Sequence, residues 1–281
     1  MLKLQTPAKI NLTLEVLGQR PDGYHELRSV LQAVGMYDTL YFEESRKVTI
    51  TGNSDDWIPG ESLVMRTIEL MKKRARVRKG ADIRVEKTIP LLSGLGGDSS
   101  DAAATILGLN QLWGLDWEKE KLADVAAELG SDVTFFLTGG TALAEGRGEK
   151  ITNLPSLPRR WVVLMLPDIV AEKGKTAQMY QALRASHFTD GQTTRRLVEV
   201  LVTRLSFRPT MLVNNFENVA FAKGSILKTY REHILKLGAP FVHLCGSGPA
   251  LYTMYAEKTT ADDLAVRCLN QGLRAHVVST L

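Results

Sequence analysis

Between Pro90 and Ala104 the chain reads PLLSGLGGDSSDAAA, with glycine at three of the four positions 94–97. Before it, ADIRVEKTIP has the alternation of a strand; after it, Ile106, Leu109, Leu112 and Trp113 recur at helical spacing and Gly114 supplies a stop. The run therefore lies at a strand-to-helix junction, with a helix expected from about Asp101 to Trp113 and Ser99 or Ser100 as its cap. Three glycines in four residues exceed what a tight turn requires. Bare backbone at a helix start can approach an anion closely and point N–H groups at it, so a phosphate cradle is the functional reading beside that of a plain capped turn. The spacing is neither G-x-G-x-x-G, since Ser99 takes the third glycine's place, nor a Walker A loop, since no lysine follows. GKT at Gly174–Thr176 imitates a Walker tail, but Ile169 stands where the first glycine belongs.

Elsewhere the pattern is of mixed helices and strands. In AKINLTLEV, Ile10, Leu12, Leu14 and Val16 alternate with Lys9, Asn11, Thr13 and Glu15, as in a half-buried strand with Lys9 and Asn11 on the face opposite the core. Pro21, Asp22 and Gly23 mark a turn that delivers Tyr24 and His25. Helices are expected at about Ser62–Arg74, Glu118–Leu129, Thr193–Leu205, Asn215–Leu237 and Ala261–Asn270, and SDVTFFL reads only as an apolar segment. The prolines of NLPSLPRR precede a new apolar run, WVVLML, and place a domain boundary there, giving segments 1–154 and 155–281.

Composition narrows the class. With 281 residues, 44% apolar and 23% charged, the chain is long enough for two modest domains and is neither disordered nor fibrous. A net charge of +4 suits an anionic ligand without arguing for nucleic acid. The run Lys72, Lys73, Arg74, Arg76, Arg78, Lys79 has no interleaved aromatic and falls at a helix C-terminus, where cations complement the dipole. Cys245 and Cys268 are too few for a disulfide framework, and no 18 apolar residues run together, so a cytoplasmic location without membrane or nucleic-acid partners is expected.

The glycine stretch resembles the second motif of the GHMP kinases, which carry proline, a short gap, Gly-Leu-Gly, then serine and paired alanines. PAKINLTL, GQRPDGYHEL, LGSDVTFFL, ALAEGRGE, NNFENV and GSGPALY, in this order and spacing, are similar to the branch of that superfamily that phosphorylates a CDP-linked methylerythritol in the non-mevalonate isoprenoid route. The matches reach from Pro7 to about Tyr252. The resemblance implies an α+β fold with the two-domain GHMP kinase architecture: a ribosomal protein S5 domain 2-like N-terminal domain that binds ATP and a ferredoxin-like C-terminal domain. It implies transfer of a phosphoryl group from ATP, with Mg²⁺, to the 2-hydroxyl of the methylerythritol moiety by a monomer or weak homodimer. Two other readings stand beside it: another small-alcohol GHMP kinase, and a non-catalytic nucleotide- or RNA-binding module of the same shape.

By resemblance, Asp132 is the catalytic aspartate and Lys9 the lysine that orients it and stabilises phosphoryl charge. Read from the residues alone, Asp132 serves equally as a helix N-cap and Lys9 as a solvated strand residue. Asn11, Tyr24, His25, Thr176, Tyr180 and the turn Gly246, Ser247, Gly248 match substrate-binding positions; a histidine edge suits a cytosine's carbonyl and amine, while Tyr180 alternatively reads as a core aromatic. ATP is expected over Pro90, Ser93, Gly94, Leu95, Gly96, Gly97, Asp98, Ser99 and Ser100, with Mg²⁺ reached through its phosphates and a Ser99 or Ser100 hydroxyl. Lys87 matches a lysine near the adenine; unaided it is a surface lysine at a strand end. The chain departs from the branch at Asp98, where a third consecutive glycine is usual, and at Ser62, Ser93, Thr134 and Asn215.

Overall fold

In a computed structural model, which describes residues 1–170 and 174–281, the first strand is longer than its alternating centre: β1 spans Leu2–Gln19. Ile10, Leu12, Leu14 and Val16 are buried as expected, but Lys9, Asn11, Thr13 and Glu15 on the other face are buried too. That corrects the half-buried reading. The polar face is closed by hydrogen bonds, with Thr13 Oγ1 accepting from Val30 N and Thr194 Oγ1, and Glu15 Oε2 from Thr194 N. Buried polar groups are tolerable only when so partnered.

After the turn, where Gly23 takes φ +84°, come β2 (His25–Ser45) and β3 (Val48–Gly52). Helix α1 (Leu63–Ala75) begins where expected, its N-cap Ser62 accepting from Met65 N. Next are β4 (Gly80–Glu86), α2 (Gly97–Leu112), α3 (Lys119–Leu129) and α4 (Ser131–Phe136). The second half carries β5 (Thr141–Gly146), β6 (Lys150–Asn153), β7 (Trp161–Leu166), α5 (Lys175–Ala182), α6 (Gln192–Val202), β8 (Val213–Asn214) and α7 (Glu217–Ala220). It closes with α8 (Ile226–Lys236), β9 (His243–Leu244), β10 (Leu251–Tyr255), α9 (Lys258–Asn270) and β11 (Arg274–Ser279). Three expectations change. α2 starts at Gly97, so Ser99 and Ser100 lie inside its first turn; SDVTFFL coils into α4; and the helix foreseen over Asn215–Leu237 is broken, Gly224 at φ +84° leading to the Ser225 cap of α8.

The chain packs as two compact units, and β1 and β2 contribute residues to each. The first comprises Met1–Ala8, Met36–Leu91 and Gly96–Gly139. In it the far part of β2 pairs antiparallel with β4 from Thr39↔Glu86 to Ser45↔Gly80, and β3 adds in parallel to β4. α2 packs against α1, α3 and α4, and its Gly108 lies against the Phe42 ring, where a Cβ would be 2.7 Å from Cζ. Small residues along α2 let the helix approach the strand that closely.

The second unit comprises Lys9–Gly35, Leu92–Leu95 and Gly140–Leu281. Here the near part of β2 pairs antiparallel with β5, which pairs with β6, while β8 adds in parallel to β1 at Thr13 and Leu14. A four-stranded antiparallel sheet, in the order β11-β7-β10-β9, is covered by α9. Its core joins Val163, Met165, Leu251, Leu264 and Cys268 to Phe216 and Ile234.

Candidate active site

The glycine run passes from the second unit to the first between Leu95 and Gly96. Within the second unit, Lys9 N donates to Leu95 O (2.8 Å) and Ala250 N to Ser93 O (3.0 Å), so backbone bonds hold the loop to β1 and to the turn before β10. Gly94, at φ +85°, is packed so closely that a Cβ would lie 2.0 Å from Cys245 O. No other residue type fits there. Cys245 is itself buried, and burial pushes its thiol up, out of the reactive range.

The turn Gly246, Ser247, Gly248 is fixed from below by Asn214, whose Nδ2 donates to Leu244 O (3.1 Å) and Gly246 O (2.8 Å). At Gly246 a Cβ would lie 3.1 Å from Lys9 Nζ. The missing side chain leaves the ammonium facing bare backbone. Lys9 Nζ donates to Asn11 Oδ1 (2.9 Å), and Asn11 Nδ2 to Ser29 Oγ (2.9 Å), so Asn11 helps to orient the lysine. Ser247 and Thr176 share a hydroxyl hydrogen bond of 2.8 Å. The same turn brings in Lys175, which sequence reasoning set aside with the false GKT motif: a Cβ at Gly248 would be 3.5 Å from its Nζ. Burial lowers the Lys175 pKa.

The rings of His25 and Tyr180 stack on each other at 5.0 Å with an interplanar angle of 20°. Phe188, unforeseen, meets the His25 ring edge at 5.9 Å, and Phe216 backs Tyr180 at 4.8 Å. The rings touch each other, which leaves only the outer faces and edges of the stack open unless the rings part. Burial lowers the His25 pKa, which favours the neutral ring with one donor and one acceptor. Tyr24 is exposed, with the Arg147 guanidinium 4.7 Å from its ring centroid.

Within the first unit, Gly96 at φ +78° begins α2, and Gly97, Asp98, Ser99 and Ser100 form its first turn. Ser100 Oγ is buried without a hydrogen-bond partner among the described residues, a hydroxyl that could meet a phosphate oxygen or Mg²⁺. Bare N–H groups at this helix start fit the same anion. Pro90 follows Ile89, whose N–H is bound by Asp38 Oδ1 at 2.7 Å. Lys87 is no surface residue: its side chain is 3% exposed and its Nζ lies 2.6 Å from Asp38 Oδ2 and 2.7 Å from Asp101 Oδ2. Neither carboxylate was foreseen, because Asp38 sits 49 positions away in an ordinary strand and Asp101 inside a motif usually read for its glycines. Asp132 lies in the first turn of α4, whose N-cap is Gly130, so it is not the capping residue.

Residues 62–140 match the family described as GHMP kinases N terminal domain. Along its whole length the chain has the fold of a homoserine kinase from Cytophaga hutchinsonii, with 17% identity and a TM-score of 0.71, covering 100% of this chain and 94% of that one. Fold, glycine run and matched segment define a GHMP kinase. A 4-diphosphocytidyl-2-C-methyl-D-erythritol kinase from Dehalococcoides mccartyi is 45% identical, covering 100% of this chain and 99% of its own; one from Gloeobacter violaceus is 35% identical, covering 99% and 94%. A crystal structure of 4-(cytidine 5'-diphospho)-2C-methyl-D-erythritol kinase superposes with a TM-score of 0.83 at 31% identity, covering 99% of each chain. The chain belongs to the 4-diphosphocytidyl-2-C-methyl-D-erythritol kinase family.

Proposed function

We propose that this protein transfers the γ-phosphoryl group of ATP to the tertiary 2-hydroxyl of 4-diphosphocytidyl-2-C-methyl-D-erythritol, in the non-mevalonate route to isoprenoid precursors. The observation that carries this is full-length similarity to kinases so named, with a buried lysine facing bare backbone at Gly246. In this reading Asp132 accepts the hydroxyl proton as the oxygen attacks the γ-phosphorus; the bond from that phosphorus to the β–γ bridging oxygen breaks, and ADP leaves. Lys9 stabilises charge on the transferring group, its ammonium aimed by Asn11. His25, with Tyr24 and Tyr180, reads the cytosine, while Thr176 and the Gly246, Ser247, Gly248 turn bind the rest of the acceptor. Segment 1–154 supplies the ATP loop from Pro90 to Ser100. Mg²⁺ neutralises phosphate charge when bound, held through ATP and a Ser99 or Ser100 hydroxyl.

The reading places the protein in the cytoplasm; no helix among the described residues is long and apolar enough to cross a membrane. The test is ADP release from Mg·ATP and the cytidyl substrate by the protein and its Asp132→Ala and His25→Ala variants. Asp132→Ala is expected to lose about 10²–10⁴ in kcat with nucleotide binding retained. His25→Ala is expected to raise KM for the cytidyl substrate. Turnover with an uncytidylated alcohol instead, or full turnover by Asp132→Ala, refutes the reading.

A further inference from the structure

Lys87 lies among three carboxylates of the first unit. Besides Asp38 and Asp101 it reaches Asp98 Oδ1, 3.6 Å away. Asp38 in turn accepts from the backbone N–H groups of Thr88 (2.5 Å) and Ile89 (2.7 Å), and Asp101 accepts from Thr6 Oγ1 (2.9 Å). Gly97 rests directly on this arrangement: a Cβ there would lie 3.0 Å from Ile89 Cγ2 and 3.4 Å from Asp38 Oδ2. The ammonium thus joins the strand exit before the glycine run to the start of α2 after it, at Asp98 in the first turn and Asp101 just beyond. Without it, Asp38 and Asp101, both fully buried, would repel each other and release both segments.

We propose that Lys87 is a positioning residue for the nucleotide. Its ammonium, spent on Asp38, Asp101 and Asp98, fixes the strand exit and the first turn of α2 in the shape that binds phosphate, and offsets the carboxylate that Asp98 adds to that turn. It acts through the loop and does not touch ATP. The proposal rests on the kinase reading, under which this loop carries the nucleotide.

The discriminating variant is Asp38→Asn. Its amide nitrogen faces the ammonium where an oxygen was, so the link breaks while Lys87 itself is kept. The measurements are ATP binding by calorimetry without acceptor, KM for each substrate, kcat, and circular dichroism to confirm folding. Asp38→Asn and Lys87→Met are both expected to weaken ATP binding and raise KM for ATP about tenfold, the scale of one lost charge-assisted hydrogen bond, with KM for the acceptor unchanged. Lys87→Arg, which keeps the charge, should lose less than Lys87→Met. Thr6→Val, a gentler loosening of Asp101, covers the case in which the stronger variants do not fold and should raise KM for ATP about twofold to threefold, the scale of a neutral hydrogen bond. Unchanged KM for ATP in Asp38→Asn beside a raised KM in Lys87→Met means direct contact and overturns the proposal. So does a parallel rise in both KM values, or no change in Thr6→Val where it alone folds. Absence of ATP binding by the unaltered protein overturns the kinase reading and this proposal together.

Discussion

Lys87 in the first unit and Lys175 in the second are both withdrawn from water, yet their surroundings drive them in opposite directions. At Lys87 burial alone would lower the pKa, but the charges of Asp101 and Asp38, and the hydrogen bonds they accept, outweigh it and raise it. At Lys175 burial lowers it and nothing opposes, since no carboxylate pairs with it among the described residues. Desolvation is common to both; the partner decides the sign. The contrast extends to the surrounding sites. Buried charge organises the glycine run on the side of Lys87, whereas neutral amides and hydroxyls such as Asn11, Ser29, Asn214 and Thr176 organise the turn at Gly246.

Removing one partner of the charge-held site is the severest way to test this. Lys87→Met leaves two buried carboxylates without a counter-charge, and urea denaturation should show about 3–5 kcal/mol lost. A loss under 1 kcal/mol would mean that the carboxylates find other partners and that the contrast is false. In the neutral site the corresponding change is Asn214→Ala, which strands the Phe216 N–H and frees the Gly246 carbonyl. About 1–3 kcal/mol is expected by the same denaturation.

The pH dependence separates the sites further. Burial, with the nearby charge of Asp38, pushes Asp101 up to about 7 against the opposing charge of Lys87. Between the ordinary aspartate value and about 7 the folded protein therefore holds a proton that the unfolded chain releases. Asp101's contribution is full at acid pH and is lost as pH rises through that window, so stability should fall from pH 5 to 8 relative to Asp101→Asn. A parallel slope in the variant would assign the titration elsewhere. The smallest effect is Lys175→Met, which removes a partly desolvated cation with no carboxylate partner among the described residues. Its denaturation midpoint should move by less than the equivalent of ~0.5 kcal/mol, and a larger loss would reveal a partner that this comparison denies it.

Much of this was legible beforehand wherever neighbours in sequence control the outcome. Ser62 caps α1 as expected, and Ile10, Leu12, Leu14 and Val16 face a core. α2 starts ahead of Ser99 and Ser100 because Gly96 takes the cap position that a serine usually holds. The break between α7 and α8 was missed because one glycine inside a helical pattern costs only about 1 kcal/mol and is a weak stop.

Local chemistry accounts for the strand-to-helix context of the glycine run, the cap of α1 and the alternation of β1. These depend on backbone freedom, capping and periodicity, which act over a few residues. Tertiary structure alone decided that β1 is buried on both faces, that His25 stacks on Tyr180, and that Lys87 meets Asp38 across 49 positions and Asp101 across 14. Those outcomes follow from which strands and helices come to lie together, and an ammonium's charge carries no record of which carboxylate it will meet.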